Sequence, residues 1–155
     1  MNNRFDSRIF DLIPHRPPML LINRILNVDI NCSSSLVLVD PETPFFEKGK
    51  GVPAWVGIEY MGQTAALIAG HRLMKKLIEP HLGFLIGTRS YNAEVSYFKP
   101  GTTLKVSCIE GTIVAEGFTK FDCEIANYDA ETDSEKLLAT SSLSVFRRPI
   151  TQGDS

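Results

Sequence analysis

Apolar residues change their spacing along this chain, and each change marks an element. Phe5 to Ile13 is a short amphipathic segment that Pro14 ends. Met19-Leu20-Leu21-Ile22 then opens a predicted strand running on through Ile25 and Val28. Ser35-Leu36-Val37-Leu38-Val39 reads as its antiparallel neighbour, turned through the polar stretch Asn31 to Ser34. Pro41 to Gly51 carries two prolines and two glycines, which makes it a loop.

Pro53 suits the first turn of a helix, where its missing N–H costs nothing. The predicted helix runs from Pro53 to Leu77. It is apolar on every face until Arg72, Lys75 and Lys76, which complement the negative end of the helix dipole. A helix apolar all round is expected to be buried. After Pro80 the period becomes two. Phe84-Leu85-Ile86 and Ala93 to Phe98 come first, closed by Lys99-Pro100-Gly101. Thr103 to Val114, Phe118 to Tyr128 and Lys136 to Arg147 follow, with Leu104, Val106, Cys108 and Phe121, Cys123, Ile125 alternating.

Two strands, one long helix and the strand segments after it make an α+β chain with a single antiparallel sheet of about six strands curled around the helix. Such a sheet leaves edges, and pairing them across a two-fold axis makes a dimer the expected state. Residues 1–150 form one domain and the polar tail 151–155 is expected to fray.

Composition narrows the function. A net charge of −2 on 155 residues lacks the basic footprint of a nucleic-acid binder. No apolar run approaches the roughly 20 residues of a membrane span. The opening MNNRFDSRIFDLIPHRPP lacks a signal-peptide core, so a cytoplasmic protein is expected. Cys32, Cys108 and Cys123 form no CxxC pair and read as reduced thiols. His15, His71 and His81 lack zinc-ligand spacing, and no GxGxxG or Walker loop implies a nucleotide; neither metal nor cofactor is expected.

The candidate chemistry sits in GVPAWVGIEYMGQTAALIAG, where Glu59 interrupts the apolar helix and Gln63 follows one turn later. One reading is a buried carboxylate held by Gln63 or by Arg16, Arg24 or Arg89. The other is a general acid or base whose pKa is raised by apolar surroundings. The free N–H groups of Ala54 and Trp55 at the helix start could bind a carbonyl oxygen.

Two blocks carry a family resemblance. Ile13-Pro14-His15-Arg16-Pro17-Pro18-Met19-Leu20-Leu21-Ile22-Asn23-Arg24 resembles the LPHR-x-P-x-LL-x-DR opening of the hotdog-fold 3-hydroxyacyl-acyl-carrier-protein dehydratases. Pro53-Ala54-Trp55-Val56-Gly57-Ile58-Glu59-Tyr60-Met61-Gly62-Gln63 resembles their PG-x-x-x-x-EAMAQ helix. GVPAWVGIEYMGQ together with GFLIGTRSY more closely resembles a divergent branch of that family found with aryl polyene synthesis in Gram-negative bacteria.

The resemblance implies a hotdog fold and elimination of water from carrier-bound 3-hydroxyacyl thioesters, with no cofactor. In the family a loop histidine and the helix carboxylate share the proton transfers, from opposite subunits. The carboxylate falls on Glu59, with Gln63 holding it, and the carbonyl-binding N–H falls on Ala54. The family's FxGHFPxxPxxPG loop is here Pro44-Phe45-Phe46-Glu47-Lys48-Gly49-Lys50-Gly51-Val52-Pro53, without a histidine. His15 belongs to the opening motif, mainly structural in the family, and is the rival base. His71 stands three helical turns past Glu59, roughly 18 Å along the axis, and His81 lies beyond the helix.

The expected partners are therefore an acyl carrier protein and a second hotdog subunit that supplies the histidine, in a heterodimer, with a homodimer as the other form. Arg72, Lys75, Lys76, Arg147 and Arg148 could face the carrier, although such clusters are more often solvated charge. The alternatives are a hotdog thioesterase and a non-catalytic partner of an active subunit.

Overall fold

A computed structural model describes residues 4–77, 81–115 and 118–149. It begins with a single helical turn, α1 (Ile9–Leu12), followed by β1 (Arg24–Val28) and β2 (Cys32–Leu38). A two-residue strand, β3 (Val52–Pro53), leads through a 3-10 turn at Ala54–Val56 into the long helix α2 (Gly57–Met74). Then come β4 (His81–Ala93), β5 (Tyr97–Phe98), β6 (Thr103–Ala115), β7 (Phe118–Asp129) and β8 (Ser134–Pro149).

Six strands form one antiparallel sheet in the order β1-β2-β6-β7-β8-β4, and β3 pairs with β5 in a separate ribbon. The α+β reading with one long helix and a six-stranded sheet is what the chain adopts. Alternation put the inward residues where they are found. Leu104, Val106 and Cys108 of β6 and Phe121, Cys123 and Ile125 of β7 are buried, with Val106 opposite Ile125 and Cys108 opposite Cys123. Burying one such aliphatic side chain stabilises the fold by roughly 1.5–3 kcal/mol. All three cysteines are free thiols. No described helix is long and apolar enough to cross a membrane.

The helix lies on the sheet through Tyr60, Met61, Thr64, Leu67 and Ile68, all buried. Its polar contacts are satisfied locally. Ser33 donates its hydroxyl to the Thr64 carbonyl at 2.6 Å, and the Ser35 and Thr64 hydroxyls lie 2.7 Å apart. On another side α2 meets α1 so closely that a Cβ on Gly70 would stand 1.9 Å from the Leu12 carbonyl oxygen. Only glycine lets these two backbones touch. At the far end Arg72 pairs with Glu110 and donates to the Ile30 carbonyl at 2.5 Å, tying the helix to β6 and to the β1–β2 turn.

Four sequence expectations are corrected. The α-helix is shorter than Pro53–Leu77. Pro53 belongs to the β3–β5 ribbon, and Lys76, at φ 59°, ends the helix in a Schellman turn: Leu77 donates to the Arg72 carbonyl and Lys76 to that of Leu73. Met19 to Ile22 is not strand, because Met19 and Leu20 turn back to the Arg16 carbonyl and the ladder starts at Arg24. The expected strand Ala93–Phe98 is broken, since β4 ends at Ala93 and only Tyr97–Phe98 pair again. Finally, α2 is not covered on every face. Glu59 is exposed, and Ile58, Gly62, Ala66 and Ala69 are half-buried, because sheet and α1 together leave one stripe open. The tail 151–155 lies outside the described residues.

Candidate active site

The start of α2 is fixed by pairing between segments far apart in sequence. Val52 and Pro53 pair with Phe98 and Tyr97, and the Ala54 N–H continues the ladder by donating to the Ser96 carbonyl at 2.9 Å. The Ala54 N–H, expected to be free for a carbonyl, is therefore engaged. The N–H of Trp55, one residue on, has no partner among the described residues and stays an open donor of the first turn. The Ala54 carbonyl receives the Tyr91 hydroxyl at 2.5 Å. The Trp55 indole is 61% exposed and meets the Phe45 ring edge-on, centroids 5.4 Å apart. Phe45 is itself 54% exposed, with φ at 69°.

Glu59 follows Trp55 by one turn on the same open stripe. The sequence expectation had this carboxylate buried and held by Gln63, and neither holds within the chain. Gln63 is 1% exposed and both ends of its amide bond elsewhere: the Leu21 N–H donates to Oε1 at 2.8 Å, and Nε2 donates to the Met19 carbonyl at 2.8 Å. Four residues advance a helix by slightly more than one turn, and that offset is enough to put Glu59 outside and Gln63 inside. Arg16 donates to the carbonyls of Phe10, Ile13 and His15, and Arg24 donates to those of Arg4 and Asn23. The Arg89 side chain lies outside the described residues.

His15 is half-buried, with its Nδ1 enclosed and without a partner among the described residues. Burial holds its pKa below the usual 6.5, the Glu59 charge works the other way, and the Arg16 charge adds to the lowering. The imidazole thus stands within electrostatic reach of the carboxylate. By contrast, His71 stands in the last turns of α2 and His81 opens β4.

Taken together, the open end of α2 offers a carboxylate, an unengaged N–H and two exposed aromatic rings, with an imidazole close by. That set suits proton transfer beside a carbonyl that gains negative charge. Sequence reasoning missed Tyr91 and Phe45. Neither has a spacing that announces it, and the only available signal was Gly57, the one small residue in its turn.

A family model described as "ApeP-like: ApeP dehydratase" matches residues 7–153. Among curated relatives, the 3-hydroxyacyl-[acyl-carrier-protein] dehydratase FabZ of Rickettsia akari is 35% identical over 72 residues, 43% of this chain and 50% of that protein. The chain thus matches about half the length of that relative. The FabZ of Rickettsia canadensis is 27% identical over 132 residues, 71% of this chain and 90% of that protein. Among solved structures, the dehydratase heterocomplex ApeI:P from Xenorhabdus doucetiae superposes with a TM-score of 0.76 at 27% identity, covering 94% of this chain and 93% of that one. A thioesterase family protein from Silicibacter pomeroyi, at 12% identity, superposes with a TM-score of 0.68 over 93% of this chain and 98% of its own, and shows the shared fold alone.

Proposed function

The chain belongs to the ApeP-like dehydratase family, and from that membership we propose that it is a subunit of a 3-hydroxyacyl-[acyl-carrier-protein] dehydratase. The reaction removes water from a carrier-bound 3-hydroxyacyl thioester. A base takes the α proton, the electron pair forms the new C=C bond, and the C3–O bond breaks as an acid protonates the departing hydroxyl. Glu59 supplies the acid on this chain, and the Trp55 N–H binds the thioester carbonyl as it gains charge. The base is a histidine of a second hotdog subunit, docked so that its loop meets the open stripe of α2.

The observation that carries this reading is Glu59 itself, an exposed carboxylate on an otherwise apolar stripe beside an open helix start. Apolar cover is one way to keep a carboxyl protonated near neutral pH, and in this proposal the docked neighbour provides that cover. The similarity to a dehydratase heterocomplex supports the same arrangement. β4, which ends the sheet, gives the partner an edge to pair with. The acyl carrier protein as substrate donor and the cytoplasm as location belong to the same proposal.

A second reading has its own support: the Glu59 charge acts to raise the His15 pKa against the lowering by burial. In it His15 is the base and one chain carries both groups. One experiment decides. The purified chain, the partner subunit and their complex are each given 3-hydroxyacyl carrier protein, and enoyl product and free thiol are both measured. Enoyl product from the complex alone supports the composite site. Product from the isolated chain supports His15, and thiol release would make the protein a thioesterase.

A further inference from the structure

Tyr91 reaches the start of α2 from the end of β4, and its hydroxyl meets the Ala54 carbonyl there. We propose that Tyr91 is a positioning residue, holding the Ala54–Trp55 peptide so that the Trp55 N–H faces the thioester carbonyl; this rests on the dehydratase reading above. An amide is planar, with its C=O and N–H pointing in opposite directions. Whatever fixes the Ala54 carbonyl therefore also aims the Trp55 N–H. The Tyr91 hydroxyl donates to that carbonyl at 2.5 Å, and the preceding peptide is tied by the Ala54–Ser96 bond at 2.9 Å. Both peptides around Ala54 are tied from outside the helix, the Ala54 carbonyl accepting the Tyr91 hydroxyl in addition to the Gly57 N–H of its own turn, and the N–H left open is that of Trp55.

Two further observations agree. A Cβ on Gly57 would lie 2.3 Å from the Tyr91 hydroxyl and 2.7 Å from Ile125 Cδ1, so glycine there makes room for the phenol. Burial pushes the Tyr91 hydroxyl up to about 12, so it is a neutral donor at physiological pH. Tyr60 packs beside it against Phe98, centroids 6.1 Å apart, and has no hydrogen-bond partner among the described residues, so it does not compete for the carbonyl. A hydrogen bond received at one end of an amide also polarises it, which strengthens the N–H as a donor at the other.

The consequence is kinetic. Charge appears on the thioester oxygen only as the α proton leaves, so a misaimed donor lowers kcat more than it raises KM. Removing an oxyanion donor outright costs about a hundred- to a thousand-fold in rate, and loosening one should cost less.

The test uses the complex of this chain with its histidine-supplying subunit, and Tyr91→Phe. We expect kcat to fall about tenfold with KM within twofold and the melting temperature nearly unchanged. In the 15N-labelled chain the Trp55 backbone amide resonance should move upfield. Gly57→Ala should move that resonance the same way, and the two changes together should move it no further than either alone. An unmoved Trp55 resonance overturns the proposal, as does a Tyr91→Phe kcat within twofold of the parent where Glu59→Gln abolishes turnover. If the parent complex does not dehydrate at all, the dehydratase reading fails on its own. Titration with crotonyl-pantetheine thioester then decides the positioning role: a Trp55 amide response that weakens in Tyr91→Phe supports it, and equal or absent responses reject it.

Discussion

Glu59 and Gln63, one turn apart on α2, face opposite environments: the carboxylate is exposed, while the amide is buried and joined to the backbone of Met19 and Leu21. The helix thus uses adjacent turns for separate tasks. One turn presents a reactive group, and the next holds an apolar segment that has no strand partner.

Gln63→Leu should therefore act on stability. It leaves the Leu21 N–H without its acceptor and the Met19 carbonyl without its donor, at roughly 1–3 kcal/mol for a buried group left unmade. For a domain of this size the melting temperature should drop by roughly 2–12 °C, read by circular dichroism. Loss of activity with an unchanged melting temperature would instead mean that Gln63 serves Glu59.

Glu59→Gln should do the reverse. An exposed side chain without a structural partner changes stability by about 0.5 kcal/mol or less, so the melting curve should hardly move. Turnover by the complex should fall on the order of a hundred- to ten-thousand-fold. Near-normal turnover would remove Glu59 from the chemistry.

Mixing experiments test the origin of the base. The homodimer should be nearly inactive, the complex active, and His15→Ala should leave the complex within a few-fold of the parent. If the homodimer dehydrates efficiently and His15→Ala abolishes this, the composite site is wrong.

His15 should also leave a mark on stability below neutral pH. Its folded pKa lies below 6.5, chiefly through burial. The unfolded chain therefore takes up a proton at a higher pH than the folded one, and stability declines as pH falls below about 6.5. Denaturant unfolding across pH 7 to 5 should give a shallower decline for His15→Asn than for the parent. An identical slope would mean that His15 titrates alike in both states.

Much of the fold was legible because it depends on local periodicity. Alternation at Leu104 to Cys108 and Phe121 to Ile125, and the mostly apolar run after Pro53, were enough to give the sheet and its helix. What could not be read depends on contacts between distant segments. Met19 to Ile22 has the composition of a strand, but its backbone bonds to the Arg16 carbonyl and to the Gln63 side chain of α2 instead of to a ladder. The Ala54 N–H looked free because its acceptor, Ser96, lies far along the chain. Glu59 looked buried because an apolar helix implies cover, and periodicity does not say which molecule provides it. The position of the carboxylate was legible, and its surroundings were not.

Trp55 is the only tryptophan in the chain, and it stands 61% exposed one turn before Glu59. The intrinsic fluorescence of this protein is therefore a signal from a single place. In the free chain the indole faces water and should emit at long wavelength. Docking of a partner over the stripe should shift the emission to the blue, and an acyl chain entering beside Phe45 should change its intensity. A partner without tryptophan could be titrated without any label, and assembly and substrate entry followed in one cuvette.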